Sequence, residues 1–250
     1  MKNILFTIAY DGTNYSGWQT QRLKVKNKKI KTIQAAIEHA LSTILQTQIK
    51  IYGSGRTDAG AHAKGQTANF KTDSKIPLKK IKAALNSLLP EDIRIKAARQ
   101  VPLDFHARYR AKTKIYQYVI LNRPDRGVFN RLYVLHINKL LDIDLMRKEA
   151  RTLLGRHDFS SFQAKDSIAR SAVHTIKKIF ITRRGGLIFI NIEADGFAYN
   201  MVRNIVGTLV ELGRGKFPAG DLKKILRLKN RKYAGPTVPA KGLCLVKVKY

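Results

Sequence analysis

Apolar residues change period several times along the chain, and the changes mark out elements. Residues 3–10 alternate and are rich in Ile, Phe and Thr, the pattern of a strand, and end on the turn signal Asp11-Gly12. Thr32 then stands as a cap before Ile33, Ala36, Ile37, Ala40, Leu41, Ile44 and Leu45, whose spacing gives one buried helical face. Residues 48–52 and 66–70 read as short strands on either side of a glycine-rich stretch. Pro77 precedes a second amphipathic helix built on Leu78, Ile81, Ala84, Leu85 and Leu88, Pro90 ends it, and residues 93–98 alternate again. The order strand, helix, two strands, helix, strand is that of a split βαβ unit.

Past a connector at 101–110 the order broadly recurs. A strand is expected at 115–121 and a helix at 144–154. A hairpin of 172–182 and Leu187–Ala194 should turn at Gly185-Gly186. Helices at 199–212 and Asp221–Leu228 and a terminal strand at Leu243–Lys249 complete the pattern. The chain thus reads as an α+β protein of two pseudo-symmetric split βαβ halves, ferredoxin-like or RRM-like with antiparallel sheets, residues 1–105 and 106–250. A site is expected in the groove between them.

With 250 residues, 44% of them hydrophobic, the chain can bury a core, which argues against disorder as a whole. Its 48 Lys and Arg against 17 Asp and Glu give a net charge of +31. Such an excess repels itself unless a polyanion is the working partner, with nucleic acid leading and an anionic membrane second. Lysines spread over the helix faces at 78–89 and 221–229 serve equally as a solvated surface. Cys244 is the only cysteine, so neither an internal disulfide nor a cysteine-rich metal site is expected. No run approaches 18 apolar residues, and the start MKNILFTIAYDG is too short in its apolar part for a signal peptide, so cytoplasmic residence is the expectation. Between Arg22 and Lys31 lie six basic residues and no acidic one, a run suited to phosphates and to a solvated loop alike.

Candidate chemistry concentrates in residues 52–66, YGSGRTDAGAHAKGQ. Gly53, Gly55, Gly60 and Gly65 bracket Ser54, Arg56, Thr57, Asp58 and His62. The stretch lacks both the GxxxxGK[ST] phosphate loop and the GxGxxG fingerprint. What remains is a turn displaying Arg56 and Asp58 together. The cation two residues away favours the ionised carboxylate, which suits a nucleophile or an electrostatic stabiliser better than a general acid. Asp58 capping its own turn is the competing reading. Tyr116 and Tyr118 alternate on the strand KIYQYVI and share a face, as core aromatics or as part of a site. Arg203 sits beside the helical stripe of Met201, Val202, Ile205, Val206 and Leu209, where a charge must be paired or reach solvent.

The stretch GSGRTDAGAHAKGQ closely resembles the catalytic motif of the TruA-type tRNA pseudouridine synthases, departing at Ala61 where the family usually has Val. DGTNYSGWQ, DFHARYRA, YQY, FAYNMVRN and GPTVPAKGLCL match further motifs in family order, so the resemblance spans nearly the whole chain. It implies the pseudouridine synthase fold, with the two halves meeting at a central RNA-binding cleft. Asp58 would be the nucleophile, Tyr116 would stack on the target uridine and assist proton removal, and Arg203 would pair with Asp58. Substrate contacts would come from Arg56, Tyr15, Trp18, His62, His106, Arg108 and Leu245, with neither histidine a general base. The implied reaction is isomerisation of uridines 38, 39 and 40 in the tRNA anticodon stem-loop, by a homodimer, with no cofactor and no metal. The partner would be tRNA, with no DNA and no membrane, and the basic run at 22–31 would face the RNA. A noncatalytic RNA-binding protein would explain the charge but has no need of an Asp58–Arg203 pair. A nuclease or glycosylase would leave broken RNA or free base, and a synthase for other tRNA positions would share the same core.

Overall fold

The computed structural model describes residues 1–20, 31–164 and 171–250 of the chain. Its contacts cluster into two compact units, Met1–Lys112 with Cys244–Tyr250, and Thr113–Leu243. Each is mixed α+β with mostly antiparallel strands.

In the first unit β1 (Lys2–Tyr10) is followed by α1 (Ile33–Leu45), β2 (Tyr52–Gly53), β3 (His62–Thr72), α2 (Leu78–Leu88) and β4 (Ile93–Val101). β1 lies between β3 and β4, antiparallel to both, and β2 pairs with the far edge of β3 through Tyr52 opposite Asn69. Alternation along β1 buries Ile4, Phe6 and Ile8, and Phe6 meets Phe70 of β3 at 5.1 Å between ring centroids. Thr32 caps α1 by accepting from Ala35 N, as its position predicts, and Ile33, Ile37 and Leu41 are buried below it. α1 packs on α2 and α2 on β4.

The strand predicted at 48–52 shrinks to two residues for a visible reason. Ile51 N donates to Glu38 Oε1, Gln34 Nε2 donates to Ile51 O, and Ile49 N donates to Ser42 Oγ. Side chains of α1 thus supply the partners that a neighbouring strand would otherwise supply. The strand predicted at 66–70 is longer than expected, beginning at His62 inside the glycine-rich stretch.

In the second unit β5 (Thr113–Asn122) pairs with β6 (Leu135–Ile137) in parallel and with β9 (Leu187–Ala194) antiparallel. β9 forms the predicted hairpin with β8 (Val173–Arg184), turning where Gly185 has φ +57°, and β7 (Gly155–Asp158) lines the far side of β8. α3 (Ile143–Ala150) starts at Asp142, which accepts from Leu145 N, and passes into a short 3-10 turn before Gly155 at φ +96°. That ends the helix short of residue 154. α4 (Met201–Gly213) starts after Asn200, whose φ of +62° is incompatible with a helix beginning at 199. Of its thirteen residues only Arg203 is not buried. α5 (Asp221–Leu228) begins where Gly220 N donates to the buried Glu149 carboxylate at 2.9 Å.

The last strand, β10 (Leu243–Lys249), returns to the first unit, Cys244 and Leu245 pairing in parallel with His62 and Ala63 of β3. The connector also belongs there. Asn3 Nδ2 donates to Pro102 O and Phe105 O, Asn69 Oδ1 accepts from Ala107 N, and the two asparagines bond to each other.

Candidate active site

Residues 54–61 leave β2 and re-enter the sheet at β3, and buried polar groups fix the loop from the sheet side. Ser54 Oγ donates to Gln66 Oε1 at 2.6 Å, and Gln66 Nε2 donates to Gly55 O at 3.0 Å. Tyr10 OH and Thr57 Oγ1 are hydrogen-bonded at 2.8 Å one residue before Asp58. Burial pushes the Tyr10 phenol well above its usual range, so it remains a neutral hydrogen-bonding group.

The turn after β1 covers the loop from its other side. Trp18 N donates to Thr57 O and Gly60 N donates to Tyr15 O, both at 3.2 Å. This backbone-on-backbone approach requires glycine. A Cβ on Gly12 would lie 1.9 Å from Ala61 O, and one on Gly17, at φ +88°, 2.5 Å from Thr57 O. The Tyr15 and Trp18 rings are buried and brace the loop. Tyr15 OH donates to Asp92 Oδ1 at 2.6 Å, and burial followed by that carboxylate raises its phenol pKa. The Trp18 indole lies against Gly53 and 6.1 Å from the Tyr10 ring. His62 is buried, its Nδ1 within 3.1 Å of Gly12 N and 3.0 Å of Asp11 Oδ1. The result is a loop gripped on both sides, with Asp58 half-buried at its bend and Arg56 exposed beside it. The Asp58 carbonyl accepts from Ala61 N, so main chain closes the turn.

The structure therefore gathers Asp58, Arg56, Tyr15, Trp18 and His62 into one place. His106 and Arg108 form a second group on the connector, where His106 Nδ1 accepts from Arg108 N. Burial, and then the Arg108 charge, lower the His106 pKa below its ordinary value. Leu245 is buried on β10 opposite Ala63, a core position.

In the second unit Tyr116 is buried on β5 with its ring edge-on to Phe197 at 5.1 Å. Tyr118 on the same face is fully buried and donates to Pro239 O at 2.7 Å. Arg203 lies in the first turn of α4, its Nε donating to Val238 O at 2.7 Å and its guanidinium to Asn200 Oδ1 at 2.9 Å. The segment 235–238 reaches it because Gly207 and Gly235 let two backbones touch, a Cβ on Gly207 lying 1.8 Å from Pro236 O. Asn204 locks the same segment, its Oδ1 accepting from Thr237 Oγ1 and Arg231 while its Nδ2 donates to Phe162 O.

A family model described as tRNA pseudouridine synthase matches residues 7–110 and 150–250. The chain belongs to the tRNA pseudouridine synthase family. This makes it an enzyme of the isomerase class, and its relatives agree along their whole lengths. It is 47% identical to tRNA pseudouridine synthase A 2 of Clostridium perfringens, 46% to tRNA pseudouridine synthase A of Clostridium kluyveri and 48% to that of Caldicellulosiruptor saccharolyticus. Each alignment spans 250 residues and all of both chains.

For this synthase, sequence reasoning missed the groups that hold the candidate residues: Tyr10, Gln66, Asn3 and Asn69 in the first unit, and Asn204 and Arg231 in the second. The available signal was a polar side chain at a strand or helix position that periodicity assigns to the interior, as with Asn3, Asn69 and Asn204. Among the described residues no group of three His, Cys, Asp or Glu is arranged to hold a metal. Nor is any helix among them long and apolar enough to cross a membrane. The basic run expected to face RNA lies outside the described residues, apart from Lys31.

Proposed function

We propose that the protein isomerises uridine to pseudouridine in the anticodon stem-loop of tRNA, at positions 38, 39 and 40, with Asp58 as nucleophile. The observation that carries this reading is the grip on the Asp58 loop. Four buried side chains, Tyr10, Ser54, Thr57 and Gln66, and two glycine-dependent backbone contacts hold one half-exposed carboxylate in place. Preorganisation of this kind is worth its folding cost where a reacting group must be positioned.

In the reaction Asp58 attacks either the ribose anomeric carbon or the base while the N1–C1′ bond breaks. The uracil turns, a C5–C1′ bond forms, the bond to Asp58 breaks and frees its carboxylate, the proton on C5 is lost and N1 gains one. Bonds and protons balance within one nucleotide, so the chemistry calls for no redox cofactor or phosphate donor. Tyr116 stacks on the uracil and assists proton removal. Arg203 pairs with Asp58, and its two hydrogen bonds in the first turn of α4 support a fixed guanidinium direction. Arg56 holds the RNA backbone at the exposed edge of the loop. A target base must leave its stack at a cost of a few kcal/mol, which contacts to the flipped base offset.

The strand orders favour an origin in two related halves. The first unit runs β4, β1, β3, β2, a split βαβ order, and β5, β9, β8 in the second repeat the sequence β1, β3, β2. The working form is a homodimer that acts on tRNA in the cytoplasm.

The test incubates unmodified tRNA transcript with the protein and with its Asp58→Ala variant, without nucleotide or added metal. Nucleoside mass spectrometry and mapping with a pseudouridine-specific adduct read the product. Pseudouridine at 38 to 40 in intact tRNA, absent with the variant, is the expected result. Tight binding that leaves every uridine unchanged across several tRNAs would overturn the reading in favour of an RNA-binding protein.

A further inference from the structure

Tyr52, His106 and Tyr109 form a three-ring stack on the first unit. Centroids are 5.2 Å apart from Tyr52 to His106 and 4.4 Å from His106 to Tyr109, with interplanar angles of 48° and 37°. The Lys50 ammonium sits 5.8 Å from the Tyr52 ring centre, and the Arg108 guanidinium 5.9 Å from that of Tyr109. Tyr109 is 76% exposed and Tyr52 42% exposed. Two large aromatic rings are therefore held open to solvent with a cation beside each.

The stack does not owe its position to its own burial. The connector carrying His106, Arg108 and Tyr109 is pinned by the buried Asn3–Asn69 pair, and Ala107 O accepts from Tyr250 OH. Tyr250 OH is hydrogen-bonded in turn to Thr67 Oγ1 on β3. At the other end Tyr52 is fixed by its pairing with Asn69. His106 bridges the two tyrosines with its Nδ1 committed to Arg108 N, which sets the ring direction. Rigid, exposed rings flanked by cations match one kind of ligand well. Unpaired nucleotides offer a flat π face on each base and a negative phosphate between successive bases. Paired stems hide those faces. A protein occupant would have to be strongly acidic to approach a chain of net charge +31.

We propose that this stack is a binding site for an unpaired nucleotide segment of RNA, Tyr52 and Tyr109 receiving base faces and Lys50 and Arg108 the adjoining phosphates. The inference rests on the reading of RNA as the substrate. It adds Lys50, Tyr52 and Tyr109 to the contact surface, beyond the loop that carries Asp58. The tyrosines contribute affinity that salt barely alters, and the cations contribute affinity that salt removes.

Fluorescence anisotropy with labelled, unmodified tRNA transcript tests this across a range of salt concentrations, using Tyr52→Ala, Tyr109→Ala, Tyr109→Phe and Lys50→Ala. Each tyrosine-to-alanine change should raise Kd roughly 5- to 100-fold with an unchanged salt slope. Tyr109→Phe should keep the wild-type Kd, and Lys50→Ala should lower the slope by about one. Circular dichroism melts check that the variants fold, which the exposure of Tyr109 favours. The proposal is overturned if both alanine variants bind within twofold of wild type, or if they alter self-association in sedimentation and leave RNA binding intact. Wild-type protein that makes no pseudouridine, with tyrosine variants that still lose RNA, would sink the isomerase reading and leave this site standing.

Discussion

Replacing Gln66 by leucine tests whether the Asp58 loop is held by its buried polar frame. Gln66 is fully buried on β3, and its amide accepts from Ser54 Oγ and donates to Gly55 O. Leucine has a similar reach but neither function, so it orphans two buried donors, the Ser54 hydroxyl and the Thr67 N–H, each at about 1–3 kcal/mol, and leaves the part-buried Gly55 carbonyl to water. Against that loss of about 2–6 kcal/mol stands the extra apolar burial of the leucine, about 1.5–3 kcal/mol. Taking the middle of each range, a net loss of about 2 kcal/mol follows, read as a lower urea midpoint at unchanged m. The catalytic effect should exceed the stability effect. At temperatures where the variant is folded, the single-turnover rate of pseudouridine formation should fall more than about tenfold, the cost of misplacing a positioned carboxylate. Affinity for tRNA should stay within about twofold, since no exposed side chain has changed. A cycle with Ser54→Ala sharpens the test, because removing the hydroxyl first removes one orphan and should shrink the Gln66→Leu penalty by about 1 kcal/mol. Wild-type urea midpoint and wild-type turnover in the Gln66→Leu protein would refute the argument.

Other perturbations probe separate parts of the same framework. Gly12→Ala drives a Cβ into Ala61 O, a backbone atom that cannot step aside, and should cost about 3 kcal/mol or more in thermal unfolding. Tyr118→Phe strips Pro239 O of its buried partner and should lower stability by about 1–2 kcal/mol while leaving the fold intact by circular dichroism. Gly207→Ala gains about 1 kcal/mol of helix propensity yet sets a Cβ 1.8 Å from Pro236 O, so denaturant titration should find the variant less stable. Hydrogen bonds from Ser160 hold the Asp158 carboxyl below its usual range, with Lys229 adding to the effect. A depressed carboxylate pKa stabilises the fold above the unfolded value and loses that contribution as pH falls through the folded one. The stability gap of about 1 kcal/mol between wild type and Ser160→Ala should therefore be constant above pH ~5 and close as the pH drops below ~4.

Strand and helix periodicity carried most of the fold, because core-facing residues must recur at 2 or 3.6 positions wherever one face is buried. β1, α1, α2, β9 and α5 follow their apolar patterns closely. The failures have local causes of a different kind. Residues 48–52 have strand-like composition, yet Ser42, Glu38 and Gln34 of α1 satisfy their main chain. Those bonds belong to tertiary geometry and leave no mark in a window of adjacent residues. β6 and β7 are three and four residues long, too short for alternation to register. The start of α4 was misplaced because Asn200 adopts a left-handed conformation, an option open to asparagine that composition does not announce.

The candidate residues were legible in a different way from their support. Arg56, Asp58 and Arg203 stand out in sequence because charged groups sit among glycines or beside an apolar stripe, where water cannot serve them freely. Tyr15 and Trp18 are implied as substrate contacts by the family resemblance alone. In the structure both rings are buried braces, since a glycine-rich loop has little side-chain volume of its own and must borrow it from neighbours. The same lack explains the polar framework. A loop of Ser54, Gly55, Arg56, Thr57 and Asp58 cannot be fixed by apolar packing, so Tyr10 and Gln66 fix it by hydrogen bonds from the strands beneath. The glycines at 12, 17 and 53 are then explained by what approaches them, two backbones and an indole, rather than by flexibility. The groups proposed to react are conspicuous because they are out of place, whereas residues that hold them are in place and so resemble the core.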